Sequence, residues 1–359
     1  MQNSMEVNMK TLSKTLTIII IVSIIISIVV VTNPKAQPIN TDDTTIKPVK
    51  VAVVVYDING LYVSEVIKNL KDIQKENEGK VEFTFFSSNK KQVIQNEIID
   101  KILQNKDFKL LLVDLVDLNS SRQVINKVKE TNVPIVLFSR EPPSKDSIQS
   151  YSKSIFVGTV LEEAGILEGE LLVNEWNKNK SLIDKNRDNT MQYIMLKGPQ
   201  DNLEAIARSK YSVLTIKNSG INTEELKSVY SDWNNKEESK KIMESLYSQY
   251  GDKIEAIIAT NDTMAIGAIE ALQTLGYNNG NAERTIPIVG VDAVPESREL
   301  VKKGFMTGTV IQDAHEMAEA IYTTGMNLVF EKKPLEGTKY KFDDSGVTIR
   351  IPYKPYIPD

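Results

Sequence analysis

The side chains placed to do chemistry gather just beyond short apolar runs, in or near segments 57–62, 139–141, 198–204 and 260–262 and at 292. They are Tyr62, Ser139, Arg140, Asn202, Glu204, Arg208, Trp233, Asn261 and Asp292. No nucleophile, base and orienting group can be assembled from this set, which argues against an enzyme. Carboxylates, amides and guanidinium groups arranged about aromatic faces suit a polyol instead. Its hydroxyls both donate and accept, and its C–H faces stack on rings. Asn261 and Asp262, just ahead of Met264, also suit a plain helix cap.

Residues 184–192 read Asp-Lys-Asn-Arg-Asp-Asn-Thr-Met-Gln. Oxygen-bearing side chains fall at loop positions 1, 3, 5 and 9, and Thr190 at position 7 offers its carbonyl, as in the first nine positions of an EF-hand-like calcium loop. Asn189 stands at position 6, where a left-handed turn is needed and Asn is tolerated. The bidentate Glu of position 12 is absent; Met195 is there, inside a predicted strand. Alone, the pattern fits a calcium loop or a polar turn.

The rest of the inventory is mostly exclusion. The chain has 359 residues, with 43 Lys+Arg against 48 Asp+Glu, a single His and no Cys. There is therefore no disulfide framework, thiolate nucleophile, Cys-ligated metal or lipid-modified Cys. One His rules out a multi-His zinc site, and His315, beside Gln312 and Asp313 at a predicted helix start, suits a solvated or capping role. A net charge of −5 gives no general attraction to nucleic acid.

The elements that must position these residues alternate. Val51–Tyr56, Val81–Phe86, Leu110–Val113, Ile135–Phe138 and Ile155–Val157 read as buried strands, with helices over Val63–Ile73 and Val93–Leu103. The pattern restarts with helix Ala164–Trp176, strand Met191–Leu196, helices Leu203–Val213 and Lys240–Tyr247, strand Ile254–Ala259, helix Met264–Leu275 and strand Ile286–Val291. This predicts an α/β chain of two doubly wound lobes with parallel sheets. In such folds ligands sit beyond the carboxyl ends of strands.

From Thr15 to Pro34 no residue is charged, and as a helix this stretch would reach about 30 Å, a bilayer core. Residues 1–34 are expected to be a transmembrane signal anchor or a signal peptide, with 35–48 as a linker and the bulk of the chain extracytoplasmic. With no Cys for a lipid anchor, the apolar helix is the expected tether to the cell membrane.

Several segments carry a family resemblance: Val133-Pro134 with Ser139-Arg140-Glu141-Pro142, Phe156-Val157-Gly158-Thr159, the 184–192 loop running into Leu196-Lys197-Gly198, Ile254-Glu255 with Asn261-Asp262, Val289–Glu296, and Gly308-Thr309-Val310. In this order and spacing the chain, over about 49–353, resembles the periplasmic glucose/galactose-binding proteins of ABC sugar transporters. The resemblance implies a periplasmic-binding-protein-like fold of two lobes, 49–157 plus 313–349 and 160–311 plus 351–359. Their three crossovers would fall near Gly158–Val160, Ile311–Asp313 and Arg350–Tyr353. It also implies calcium held by Asp184, Asn186, Asp188, the Thr190 carbonyl and Gln192, with Glu255 supplying the missing carboxylate. Tyr62 and Trp233 would sandwich a pyranose, with Arg208, Asn261 and Asp292 as hydrogen-bonding positions.

The chain departs from the family pattern at several of these positions. Gly60 replaces an Asp, Ser139 an Asn, Asn202 a His, Glu204 an Asp and Gln312 an Asn; Arg140 stands where Lys is usual and Tyr62 where Phe is common. The resemblance implies galactose/glucose-type transport, but the replaced Asp is the family's contact to the sugar 4-hydroxyl, so the departures point to a different monosaccharide such as xylose. Two roles follow: a solute-capture protein serving an ABC permease, or a membrane-anchored sugar-sensing ectodomain beside a histidine kinase. A DNA-binding repressor of the same fold is disfavoured because no helix-turn-helix precedes residue 49.

Overall fold

The computed structural model describes residues 47–358. The leader over 1–34 and residues 35–46 of the linker lie outside the described residues. Among the described residues no helix is long and apolar enough to cross a membrane.

The chain starts with β1 (Val49–Val55), α1 (Leu61–Glu76), β2 (Val81–Ser87), α2 (Gln92–Gln104), β3 (Phe108–Val113), α3 (Ser121–Glu130), β4 (Ile135–Phe138), α4 (Asp146–Gln149) and β5 (Ser154–Thr159). It continues through α5 (Leu161–Ile183), β6 (Thr190–Lys197), α6 (Leu203–Asn218), β7 (Asn222–Tyr230), α7 (Lys236–Tyr250), β8 (Ala256–Ala259), α8 (Asp262–Thr274), β9 (Ile288–Asp292), α9 (Pro295–Lys302) and β10 (Gly308–Ile311). It ends with α10 (Ala314–Val329), β11 (Thr348–Ile351) and β12 (Lys354–Pro355).

Two six-stranded sheets result, ordered β11-β5-β4-β3-β1-β2 and β12-β10-β9-β8-β6-β7. Every pairing between these strands is parallel except that of β10 with the two-residue β12. The near-continuous Val run of β1 is what a strand covered on both faces requires. Val51, Val53 and Val55 enter one core and Ala52 and Val54 the other. In the second sheet, Ile194 and Leu196 face one core while Met191, Tyr193 and Met195 face its opposite. The chain passes between the sheets after Thr159, after Ile311 and after Ile351. Each lobe is thus built from discontinuous segments, and the strand carboxyl ends open onto one cleft.

Candidate functional site

The cleft between the lobes has about 650 Å³ of empty space, counting the part open to solvent. The first lobe contributes Tyr56 after β1, Tyr62 at the start of α1, Asp114 after β3, and Ser139 and Arg140 after β4. The second contributes Glu204 and Arg208 from α6, Trp233 between β7 and α7, Asn261 after β8, and Asp292 closing β9. Gln312 lines it from the crossover after β10. Ser139 and Asp292, both lining the cleft, hold positive φ of 64° and 116°, a strained backbone for residues other than glycine.

Arg208 is the hub. Its Nη1 donates to the Thr260 carbonyl at 2.8 Å, and its Nη2 donates to Gln312 Oε1 at 2.8 Å and to the Tyr353 hydroxyl at 2.7 Å. The Tyr353 hydroxyl in turn donates to Thr159 Oγ1 at 2.9 Å. Burial alone would lower the guanidinium pKa; Tyr353, Asp292 and Glu168 around it raise it instead. Asp292 is held well above the usual carboxylate range by burial, with Arg208 opposing and Asp262 adding to the rise. Burial likewise raises Glu204, and it lifts Asp114 to about 7 against the pull of Arg140. Buried polar atoms of these lining residues that have no partner among the described residues include Asp114 Oδ1, Glu204 Oε2 and Arg208 Nε. Buried polar groups in folded proteins are normally paired, so atoms left open around a cleft point to a hydrogen-bonding ligand.

The aromatic walls are fixed by polar contacts. Trp233 Nε1 donates to Thr260 Oγ1 at 3.1 Å, and Asn261 Nδ2 donates to the Trp233 carbonyl at 3.0 Å. Asn261 Oδ1 accepts from Met264 N, so this residue is a helix cap and a cleft residue at once. Arg208 Cζ lies 5.4 Å from the Trp233 ring centre, and Arg140 Cζ 4.3 Å from that of Tyr56. The lobes also meet directly. Lys90 Nζ pairs with Asp232 at 2.6 Å, and the Glu141 amide donates to Glu204 Oε1 at 3.0 Å.

Asn202 is not among the residues lining the cleft, and its Nδ2 is a buried donor without a partner among the described residues. Its Oδ1 accepts from Ala205 N at 2.8 Å, capping α6, and the side chain is fully buried. His315 lies apart from the cleft residues, with Nδ1 3.2 Å from Asn69 Oδ1. The cleft includes residues that the sequence reasoning missed: Tyr56, Asp114, Asp232 and Asn234. The strand-end rule reaches Tyr56 and Asp114, whereas Asp232 and Asn234 follow β7, an unexpected strand.

In the 184–192 loop, Arg187 and Asn189 both adopt φ 61°, two left-handed turns within six residues of Asp184. Among the described residues no three acidic or imidazole groups are drawn together as a ready cluster. Asp188 Oδ2 accepts from Asn186 Nδ2 at 2.9 Å and from Gln192 Nε2 at 2.8 Å. Glu255 accepts from the backbone amides of Lys185 and Gln192 at 2.9 and 3.2 Å. Burial, reinforced by Asp184 and Asp188, pushes Glu255 up to about 7 despite those two amides. Asp184 Oδ1 and Gln192 Oε1 are buried without a partner. An all-oxygen set with two unpaired buried oxygens fits a hard divalent cation.

Two lobes that close on a polar cleft, linked by crossovers through Thr159, Gln312 and Tyr353, define a solute-binding protein. The periplasmic binding protein domain family matches residues 51–333, and the chain belongs to that family. It is 36% identical over 285 residues to the D-galactose/methyl-galactoside binding periplasmic protein MglB of Haemophilus influenzae, covering 79% of this chain and 82% of that one. It is 22% identical over 204 residues to the ribose import binding protein RbsB of Salmonella typhimurium, covering 57% and 60%. Among solved structures, an ABC transporter solute binding protein from Bacillus halodurans with bound myo-inositol matches with TM-score 0.70 at 20% identity, covering 87% of this chain and 95% of that one. One from Actinobacillus succinogenes with bound D-allose matches with TM-score 0.71 at 16% identity, covering 86% and 97%.

Proposed function

We propose that this protein is an extracytoplasmic monosaccharide-binding protein that closes around one sugar and delivers it to an ABC permease. The observation that carries this is the set of unpaired buried polar atoms, Asp114 Oδ1, Glu204 Oε2 and Arg208 Nε, on residues lining a cleft with aromatic walls. The likeness to a named galactose-binding relative supports the ligand class. The substituted positions, Gly60, Ser139, Glu204 and Gln312, support a sugar other than galactose or glucose, with D-xylose first. The uncharged Thr15–Pro34 stretch supports a membrane tether, which would equally serve a sensor kinase as partner.

A thermal-shift panel of D-xylose, D-galactose, D-glucose and D-ribose tests the ligand class. At a hundred times its Kd, a sugar bound only by the native state adds about 2.7 kcal/mol, a shift of several degrees in Tm. A panel in which no sugar moves Tm overturns the proposal. Sugar uptake lost on gene deletion supports the transport role, whereas uptake retained with a lost transcriptional response supports sensing.

The proposed cation is calcium, held by Asp184, Asn186, Asp188, the Thr190 carbonyl, Gln192 and Glu255. These residues tie the loop after α5 to β6 and to the segment entering β8, so the ion's role is to stabilise the second lobe. Chelation of the purified protein is expected to lower Tm by several degrees, with calcium restoring it and magnesium doing so poorly. An unchanged Tm removes the ion from the proposal.

A further inference from the structure

Between β7 and α7 the chain runs Asp232-Trp233-Asn234-Asn235, and three of these side chains have structural partners. Asp232 pairs with Lys90, and its Oδ1 accepts from the Asn234 amide at 2.9 Å. Trp233 donates to Thr260, and Asn235 Oδ1 accepts from Glu238 N at 3.0 Å, capping α7. The side-chain amide of Asn234 is different. It lines the cleft, is half-buried, and makes no hydrogen bond with any described residue.

The amide also sits opposite a gap in the first lobe. A Cβ built on Gly60 would lie 2.9 Å from Asn234 Oδ1, 3.0 Å from Nδ2 and 3.1 Å from Cγ. In this arrangement the amide occupies the space that a Cβ at 60 would take. At Gly60 the first lobe offers bare backbone, and the polar group beside it comes across from the second lobe.

We infer that Asn234 determines sugar specificity, its amide supplying from the second lobe the hydrogen-bonding group that the first lobe lacks at Gly60. This rests on the sugar-binding proposal above. An amide presents two donors and an acceptor without charge, matching a hydroxyl that does both. A carboxylate there would only accept. Because the amide and Gly60 belong to opposite lobes, the contact forms only on closure, so a hydroxyl of the wrong configuration is rejected at that step. Such a hydroxyl leaves the amide and itself unpaired, a larger penalty than the bond is worth when made.

Calorimetry on the full chain with D-xylose, D-galactose, D-glucose and L-arabinose tests this, since as pyranoses these sugars differ only in the configuration at C4, in the presence of the hydroxymethyl group, or in both. Asn234→Ala is expected to weaken the best-bound sugar roughly tenfold or more and to bring the Kd values of the panel closer together. Asn234→Ser, measured alongside, keeps a hydroxyl at the position and serves if the Ala variant does not fold. Equal weakening of every sugar with the ratios preserved would show a structural role and overturn the inference, as would Kd values within twofold of the native ones. Native protein that binds none of these four and not D-ribose either overturns the sugar proposal itself, and this inference with it.

Discussion

Arg208→Met is expected to cut the affinity for the bound sugar by at least about a hundredfold and to destabilise the fold by roughly 3 kcal/mol, the scale of breaking a buried ionic group. Arg208 is 3% exposed, and its guanidinium carries the positive charge near Asp292 and Glu168. Both Glu168 carboxylate oxygens are themselves buried and unpaired, so removing Arg208 leaves acids with no compensation. Arg208→Lys should rescue little. The planar fork reaches Thr260, Gln312 and Tyr353 together, and a single ammonium cannot repeat that geometry. Calorimetry and thermal melts of both variants check this; a Met variant binding within tenfold of native contradicts it.

The second large effect lies in a residue with no side chain. A Cβ on Gly198 would stand 2.1 Å from Trp233 Nε1 and 2.2 Å from Cε2, impossible without moving the indole. The Gly198 amide donates to Thr260 Oγ1 at 3.0 Å, the same oxygen that accepts from Trp233, so backbone and ring cannot separate without breaking that pairing. Gly198→Ala is expected to displace the ring, weaken sugar binding roughly thirtyfold or more, and cost about 1–3 kcal/mol of stability as overpacking. Near-UV circular dichroism and tryptophan emission report the displacement, since the other tryptophan, Trp176, is buried in a separate core. Native-like spectra and affinity would contradict it.

The legible parts of the fold were those whose burial leaves a mark on composition. Strands covered on both faces, such as β1 and β8, are unbroken apolar runs, and their order along the chain predicted the two parallel sheets. Strand β7 left no such mark. As an edge strand it reads Asn-Thr-Glu-Glu-Leu-Lys-Ser-Val-Tyr, largely exposed, and nothing in that pattern separates it from a loop. Missing it hid Asp232 and Asn234, which follow its carboxyl end. Asn202 is a strand-end amide like Asn261 and caps its helix in the same way, yet it is fully buried outside the cleft lining, while Asn261 caps and still lines the cleft. Which way such an amide faces depends on packing between helices that no local spacing encodes.

Thr159, Gln312 and Tyr353 each sit on a different passage of the chain between lobes, and all three converge on one guanidinium, two directly and Thr159 through the tyrosine hydroxyl. The pivots of the molecule and the floor of its cleft are thus parts of a single polar lattice. Swinging the lobes apart strains or exchanges those bonds, and a sugar that holds Arg208 in place resists the swing at its axle rather than only at its rim. Cargo affinity and mechanical stiffness then rise and fall together, so a mutation that loosens the pivot makes the protein a poorer keeper of its ligand without touching the ligand at all.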